Sequence, residues 1–353
     1  SARRLLGGRS FVAPDPAVHP SKWSGTEITE EVAQGLLIGL ADNPRLVYDP
    51  VAIARNLPDV RFSFDWPEHE PGTVTFINDS HGFRRLPEED ATGADLTVLV
   101  LGDSQTYGLV DNDETFTSLL ERRLTASGDG RRWAVLNAAV AGTGPHEYRG
   151  SLELHLPVRP DLVVAVFFTG NDFLNALRVD SFLRKGWSGL GDRDAQERYS
   201  QARQRWRSQL AQGVGQAQQF TVHPEQGRYA VQVCRDVFLE MSGLCRAHGA
   251  ALLVVMLPCK AVVDGDDDQA TITQLLETLQ LRREQLDVNR WLGQRLAAEL
   301  RQAGVEAVDL HEALEGPHPP LFWRSDHHLN VEGHALVAEA LLPLVAERLS
   351  SPP

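Results

Sequence analysis

The chain has 353 residues, of which 42% are hydrophobic and 23% charged. That balance is ordinary for a globular protein with a sizeable core and excludes a disordered chain, a collagen-like fibre or a small disulfide scaffold. The net charge of −14, with no basic stripe, argues against a nucleic-acid partner.

No apolar run reaches the ~18 residues of a transmembrane helix, so no membrane span is expected in this chain. The 3 cysteines, Cys234, Cys245 and Cys259, lack C-x-x-C spacing. They exclude a full disulfide framework and a cysteine zinc knuckle but leave room for one disulfide. The first residues, Ser-Ala-Arg-Arg, include neither Met nor the apolar core of a signal peptide. The start therefore reads as trimmed, with any targeting segment missing.

In chain order, residues 1–95 read as an irregular N-terminal extension punctuated by Pro14, Pro16, Pro20, Pro44, Pro50, Pro58, Pro67 and Pro71. A helix is expected only around Glu30–Leu40. Arg61–Phe64 alternates and Thr73–Ile77 is β-branched, and the turn residues between them predict a β-hairpin. From residue 96 the pattern changes. The runs Leu96–Leu101, Trp133–Leu136, Leu162–Phe168, Ala251–Leu257 and Val305–Leu310 are apolar on successive residues, as in parallel strands covered on both faces.

Helix-period stretches separate these runs. Phe116, Leu119, Leu120 and Leu124 form one stripe, and Val288, Leu292, Leu296 and Leu300 another. The last stretch, 332–349, sets Leu336, Ala340 and Leu344 in one row and Val337, Leu341 and Val345 in the next. Pro343 inside it should kink or end the helix. Strand–helix alternation predicts a doubly wound α/β domain over 96–353 with right-handed crossovers. Residues 172–249 exceed what a βα unit needs and read as a helical insertion ending in a core helix over 230–247.

Ligands of open α/β sheets bind beyond the carboxyl ends of the strands. Four polar, Gly-punctuated turns follow the strands there: Gly102-Asp103-Ser104-Gln105-Thr106-Tyr107-Gly108, Asn137 to Gly144, Gly170-Asn171-Asp172, and Ser325-Asp326-His327-His328-Leu329-Asn330. Acyl transfer needs a hydroxyl nucleophile, a base in reach, a group orienting that base, and donors for the oxyanion. Ser104, His328 and Asp326 supply the first three. The backbone N–H groups of Ser104 and Gly142 with the Asn171 amide supply the donors. A Gly-Asp-Ser or Gly-Asn-Asp alone is an ordinary turn, Asp326 alone could be a helix N-cap, and His328 alone a core histidine. What points to chemistry is that each falls after the right strand.

The whole set resembles the SGNH (GDSL) hydrolase family. Gly102-Asp103-Ser104-x-Thr106-x-Gly108, Gly142, Gly170-Asn171-Asp172 and Asp326-x-His328-x-Asn330 match its blocks in order over about residues 95–350. Asn78, Gly82, Phe83 and Arg84 resemble the "N-x-x-G-F-R" lead-in of bacterial members with an N-terminal extension.

The resemblance implies a flavodoxin-like three-layer sandwich of strand order 2-1-3-4-5. It implies nucleophile Ser104, base His328, orienter Asp326 and oxyanion donors Ser104, Gly142 and Asn171. It implies no cofactor, and an extracytoplasmic location, periplasmic or surface-anchored through a missing N-terminal segment. Many members space acid and base as D-x-x-H. The shorter Asp326-x-His328 resembles branches that include polysaccharide O-acetyltransferases as well as esterases. His327 competes for the base role, but "H-x-N" fits His328. Thr106 replaces the second Gly of Gly-x-Ser-x-Gly, which argues against an α/β-hydrolase elbow.

The leading expectation is a serine ester hydrolase acting on an acylated small molecule or carbohydrate. An O-acyltransferase with the same triad and a non-catalytic glycan-binding module are the alternatives. His327, His328 and His334 beside Asp326 also suggest a zinc site, but the triad already employs them, so no metal is expected. Asp264 to Asp268 looks like a calcium loop but lacks its later Gly and Glu, and reads as a solvated loop. Arg178, Arg184, Arg193, Arg198, Arg203, Arg205 and Arg207 read as a solvated helical face with acidic partners, and as an anion site only second.

Overall fold

The computed structural model describes residues 28–37, 40, 43–86, 93–127, 130–185, 193–263 and 269–350. After a helix at Glu30–Leu36, where one was expected, come two short hairpins: β1 (Leu46–Asp49) with β2 (Ile53–Asn56), and β3 (Arg61–Asp65) with β4 (Thr73–Ile77), each antiparallel. Then follow β5 (Leu96–Leu101), β6 (Trp133–Asn137), β7 (Leu162–Phe168), β8 (Ala251–Leu257) and β9 (Glu306–Asp309). These five make one parallel sheet in the order β6-β5-β7-β8-β9. Counted from β5 this is 2-1-3-4-5.

Every residue of β7 is buried, because helices cover both faces. Leu99, Val163, Ala165 and Phe167 pack with Phe238 of helix Pro224–Ala247 and with Leu292 and Leu296 of helix Asp287–Gln302. Val98, Val100, Val164 and Val166 point the other way. They meet Phe116, Leu120 and Leu124 of helix Phe116–Ala126 and Val337, Leu341 and Val345 of helix Val331–Ser350. The alternation along each strand thus feeds two cores, each large side chain contributing ~1.5–3 kcal/mol of burial. The protein is an α/β three-layer sandwich.

The last helix runs through Pro343 to Ser350, so of the two expected outcomes the early end does not occur. An interior proline costs ~3 kcal/mol. Val337, Ala338, Leu341 and Val345, all at 0% exposure, bury enough apolar surface along that face to outweigh it.

The β1–β2 hairpin lies in sequence that reads as irregular. Its strands are too short to show a period, and its turn is made by Asp49, whose Oδ1 accepts from the N–H of Val51 (2.8 Å) and Ala52 (2.9 Å). The turn seats on helix Pro145–His155 at Gly150, where a Cβ would stand 2.2 Å from the Val51 carbonyl oxygen.

Residues 172–249 are helical over most of their described length: Asp172–Lys185, Arg193–Arg205, Gly215–Val222 and Pro224–Ala247. Arg193, Arg203, Arg205 and Arg207 are exposed, while Arg184 pairs with Asp180 at 2.9 Å. All three cysteines are buried free thiols, so the one disulfide left open by their number does not form. Among the described residues no helix is long and apolar enough to cross a membrane. Asp264 to Asp268 lie outside the described residues.

Candidate active site

The four polar turns converge at the carboxyl edge of the sheet. After β5 the chain enters the short helix Ser104–Tyr107, N-capped by Asp103, whose Oδ1 accepts the Gln105 N–H at 2.9 Å. Asp103, Gln105, Thr106 and Tyr107 are buried and Ser104 is partly exposed, so this turn presents one hydroxyl to solvent. Gly102 must lack a side chain, since a Cβ there would lie 2.2 Å from Thr106 Oγ1.

The second turn is tied to the first by the Val140 N–H on the Gly102 carbonyl (3.0 Å) and by Asn137 Nδ2 on the Thr106 carbonyl (3.0 Å). Gly142 takes φ 83°, the left-handed region where a side chain is strained. The third turn is joined to the second by Asn175 Nδ2 on the Thr143 carbonyl (3.4 Å). Its Asn171 is partly exposed, and the buried side-chain Oδ1 has no hydrogen-bond partner among the described residues.

The fourth turn is a hairpin loop closed by an antiparallel bridge between Phe322 and Leu329, with the Trp323 N–H on the His328 carbonyl at 3.0 Å. At its tip Asp326 Oδ1 accepts the His328 N–H at 2.8 Å and lies 2.5 Å from His328 Nδ1. His327 Nδ1 is 3.7 Å from the same oxygen, and the two imidazoles tilt against each other at 4.2 Å. Of the adjacent histidines, His328 is therefore the one hydrogen-bonded to Asp326. The N-cap of the last helix is Asn330, whose Oδ1 accepts the Gly333 N–H at 2.9 Å, which leaves Asp326 free of that duty.

Two residues that sequence reasoning did not single out fix this loop to the others. Gln105, 0% exposed, donates from Nε2 to the His327 carbonyl at 2.8 Å and accepts the Leu329 N–H at 3.1 Å. Its amide thus grips the peptides on both sides of His328 and holds them against the Ser104 turn. Among the described residues Ser104 Oγ makes no hydrogen bond, and Gln105 ties the Ser104 turn to the loop that carries His328. Lys260 Nζ donates to the carbonyls of Trp323 (2.7 Å) and Arg324 (3.2 Å).

The lead-in residue Arg84 is fully buried. Its guanidinium donates to the carbonyls of Tyr107, Gly108 and Val110 and, at 3.2 Å, to Asn112 Oδ1. Burial pushes its pKa down to about 10. It satisfies the carbonyls that the short Ser104 helix leaves unpaired at its carboxyl end.

Behind the turns lie buried acids. Burial raises Asp103 to about 6 and Asp172 well above the ordinary carboxyl range, where the charge of Asp103 adds to the effect. Asp172 Oδ2 accepts from Tyr148 Oη and the Phe168 N–H, both at 2.8 Å. Burial works to lower His328, but the Asp326 carboxylate overcomes it and the pKa is raised. Burial and the neighbouring His328 lower His327 to about 3.

Asp326, His327 and His328 bring their ligand-type atoms within 4.8 Å. His334 stands apart. It is fully buried, accepts the Phe116 N–H on Nδ1 at 3.2 Å and stacks on the Phe116 ring, a core role.

This architecture defines a hydrolase of the three-layer α/β class. Residues 100–336 match the GDSL-like lipase/acylhydrolase family, and the chain belongs to that family. It is an SGNH-type serine ester hydrolase. No curated protein matches the sequence. Solved structures with a similar fold include TesA, at 16% identity and TM-score 0.41 over 71% of this chain and 99% of TesA. The acetyl xylan esterase AlAXEase shares 14% identity at TM-score 0.39, over 71% of this chain and 100% of its own. A catalytic variant of the acetylxylan esterase Axe2 from Geobacillus stearothermophilus shares 14% at 0.41, over 74% and 98%.

Proposed function

We propose that the chain hydrolyses a carboxylic ester of an acylated small molecule or carbohydrate through an acyl-enzyme on Ser104. The observation that carries this reading is the Asp326–His328 pair, held by Gln105 against the turn that presents Ser104. His328 Nε2 takes the Ser104 proton as Oγ attacks the acyl carbon. Asp326 fixes the tautomer that leaves Nε2 free and stabilises the imidazolium. The Ser104 and Gly142 N–H groups and the Asn171 amide take the oxyanion, each donor being worth ~3–4 kcal/mol in the transition state. His328 then returns the proton to the leaving alcohol, and water deacylates the serine by the same path reversed. In this reading residues 1–95 are an extension and 172–249 an insertion that shape the substrate groove around residues 96–353.

The test is a fluorophosphonate label combined with turnover of p-nitrophenyl acetate. Labelling of Ser104 alone and loss of turnover in Ser104→Ala are expected. Label on another serine, or near-normal turnover in Ser104→Ala, overturns the assignment.

A further inference from the structure

We infer that Glu68, at the turn of the β3–β4 hairpin, is a positioning residue for the Asp326–His328 loop, so that the N-terminal hairpin is a working part of the active site. This rests on the catalytic reading given above.

The loop that carries Asp326 and His328 begins with Trp323-Arg324-Ser325. The carbonyls of Trp323 and Arg324 are taken by Lys260, and the Trp323 N–H by the loop itself. The next two N–H groups along the loop are those of Arg324 and Ser325, both exposed residues. Glu68 meets both. Its Oε2 accepts from Arg324 at 2.6 Å and its Oε1 from Ser325 at 2.9 Å, and Oε1 also takes the Ser325 hydroxyl. One carboxylate therefore anchors the two residues immediately before Asp326. Charge-assisted bonds of this kind are the strong ones, and a planar carboxylate on two successive amides fixes direction as well as distance.

The rest of the hairpin braces the same loop. The Trp323 ring is packed edge-on by Trp66 at 6.1 Å and by His69 at 6.0 Å, and its Nε1–H donates to the Leu109 carbonyl at 3.0 Å. His69 is itself pinned, Nδ1 to the Thr73 carbonyl at 2.6 Å and Nε2 to Glu114 Oε2 at 2.7 Å. Glu114 sits just after the Ser104 turn, in the segment Asn112–Glu114. The hairpin thus bridges the nucleophile side and the acid–base side of the site. Glu68 is exposed. Its loss frees the loop without opening a cavity.

The experiment compares Glu68→Ala and Glu68→Gln with the intact chain, using p-nitrophenyl acetate and a fluorophosphonate. Loosening of catalytic groups by about an ångström costs up to ~100-fold. Glu68→Ala is therefore expected to lower kcat by roughly 10-fold or more with KM nearly unchanged. The Ser104 labelling rate should fall in parallel. Amide exchange at Arg324 and Ser325 should quicken, and the pH midpoint of kcat/KM should move toward the ordinary histidine value as the Asp326–His328 pair loosens. Glu68→Gln keeps acceptor oxygen and should recover part of the rate.

Normal kcat in Glu68→Ala, or a lowered kcat with an unmoved pH midpoint and a matching loss of thermal stability, overturns the inference. If the intact chain itself takes no label at Ser104, the catalytic reading fails instead, and the two failures are distinct.

Discussion

Gln105→Leu tests whether one buried amide holds the two halves of the site in register. Leucine has nearly the volume of glutamine, so no cavity term enters. What is lost is the donor to the His327 carbonyl and the acceptor of the Leu329 N–H. Each buried polar group left unpaired costs ~1–3 kcal/mol, which puts the whole effect at roughly 2–6 kcal/mol. Against a total stability of ~5–15 kcal/mol this is a large fraction. The loop has a cheaper escape than global unfolding. His327 is only partly buried, so the peptide can turn toward water and be hydrated there, at the cost of moving His328 away from Ser104.

The expected result is thus a modest fall in the urea midpoint, ~1–3 kcal/mol, with kcat on p-nitrophenyl acetate down on the order of 100-fold. KM should hold. The assay is urea unfolding followed by tryptophan fluorescence, paired with steady-state kinetics. Unchanged midpoint together with kcat within about twofold of the parent would refute the reasoning. So would a stability loss with full kcat, since that would make Gln105 a packing residue alone.

Three further outcomes are expected. His328→Ala should cost as much as Ser104→Ala and His327→Ala far less, with Asp326→Asn in between; kinetics on the purified variants decide, and a lethal His327→Ala with a mild His328→Ala reverses the assignment. Activity should rise with pH through a midpoint above 6.5, because the Asp326 carboxylate raises His328 despite its burial and only the neutral imidazole accepts a proton. The same raised pKa means that the pair stabilises the fold at low pH and fades as pH rises through it, so a kcat/KM profile should climb where pH-dependent unfolding shows this contribution declining. Glu147, buried and raised from 4.5 to about 7 by that burial, favours its protonated form; its stabilising share is lost as pH climbs from about 4.5 through 7. Glu147→Gln should gain on the parent by roughly 3 kcal/mol across that window, measured as urea midpoints at each pH, and no change in the difference would count against a buried carboxyl.

The parallel sheet is legible in the sequence because both its faces are covered. Successive apolar residues in Leu162–Phe168 or Ala251–Leu257 have no other use in a chain of this charge. The Ser104, Gly142, Asn171 and Asp326–His328 turns are legible as places because each follows a strand and is punctuated by glycine or an acid. The residues that join those places are not. Gln105 and Glu68 are common polar residues, and their partners are backbone groups more than 200 positions away in a loop whose shape no local pattern reveals. The β1–β2 hairpin escapes notice because its fit depends on Gly150 across the fold, and Pro343 misleads because a rule about isolated helices yields to burial.

The three buried thiols give the protein a built-in reporter of its own opening. Cys234 and Cys259 are at 0% exposure inside opposite cores, and burial pushes Cys259 to about 12 and Cys234 well above the thiol range. Cys245 is also at 0% exposure and raised to about 12. Only the thiolate reacts with alkylating reagents, so each sulfur is silent until its layer parts. A brief iodoacetamide pulse followed by mass spectrometry would therefore time the opening around each cysteine separately. A cysteine introduced on the surface, for a dye or a tether, would meet no competition from the native three.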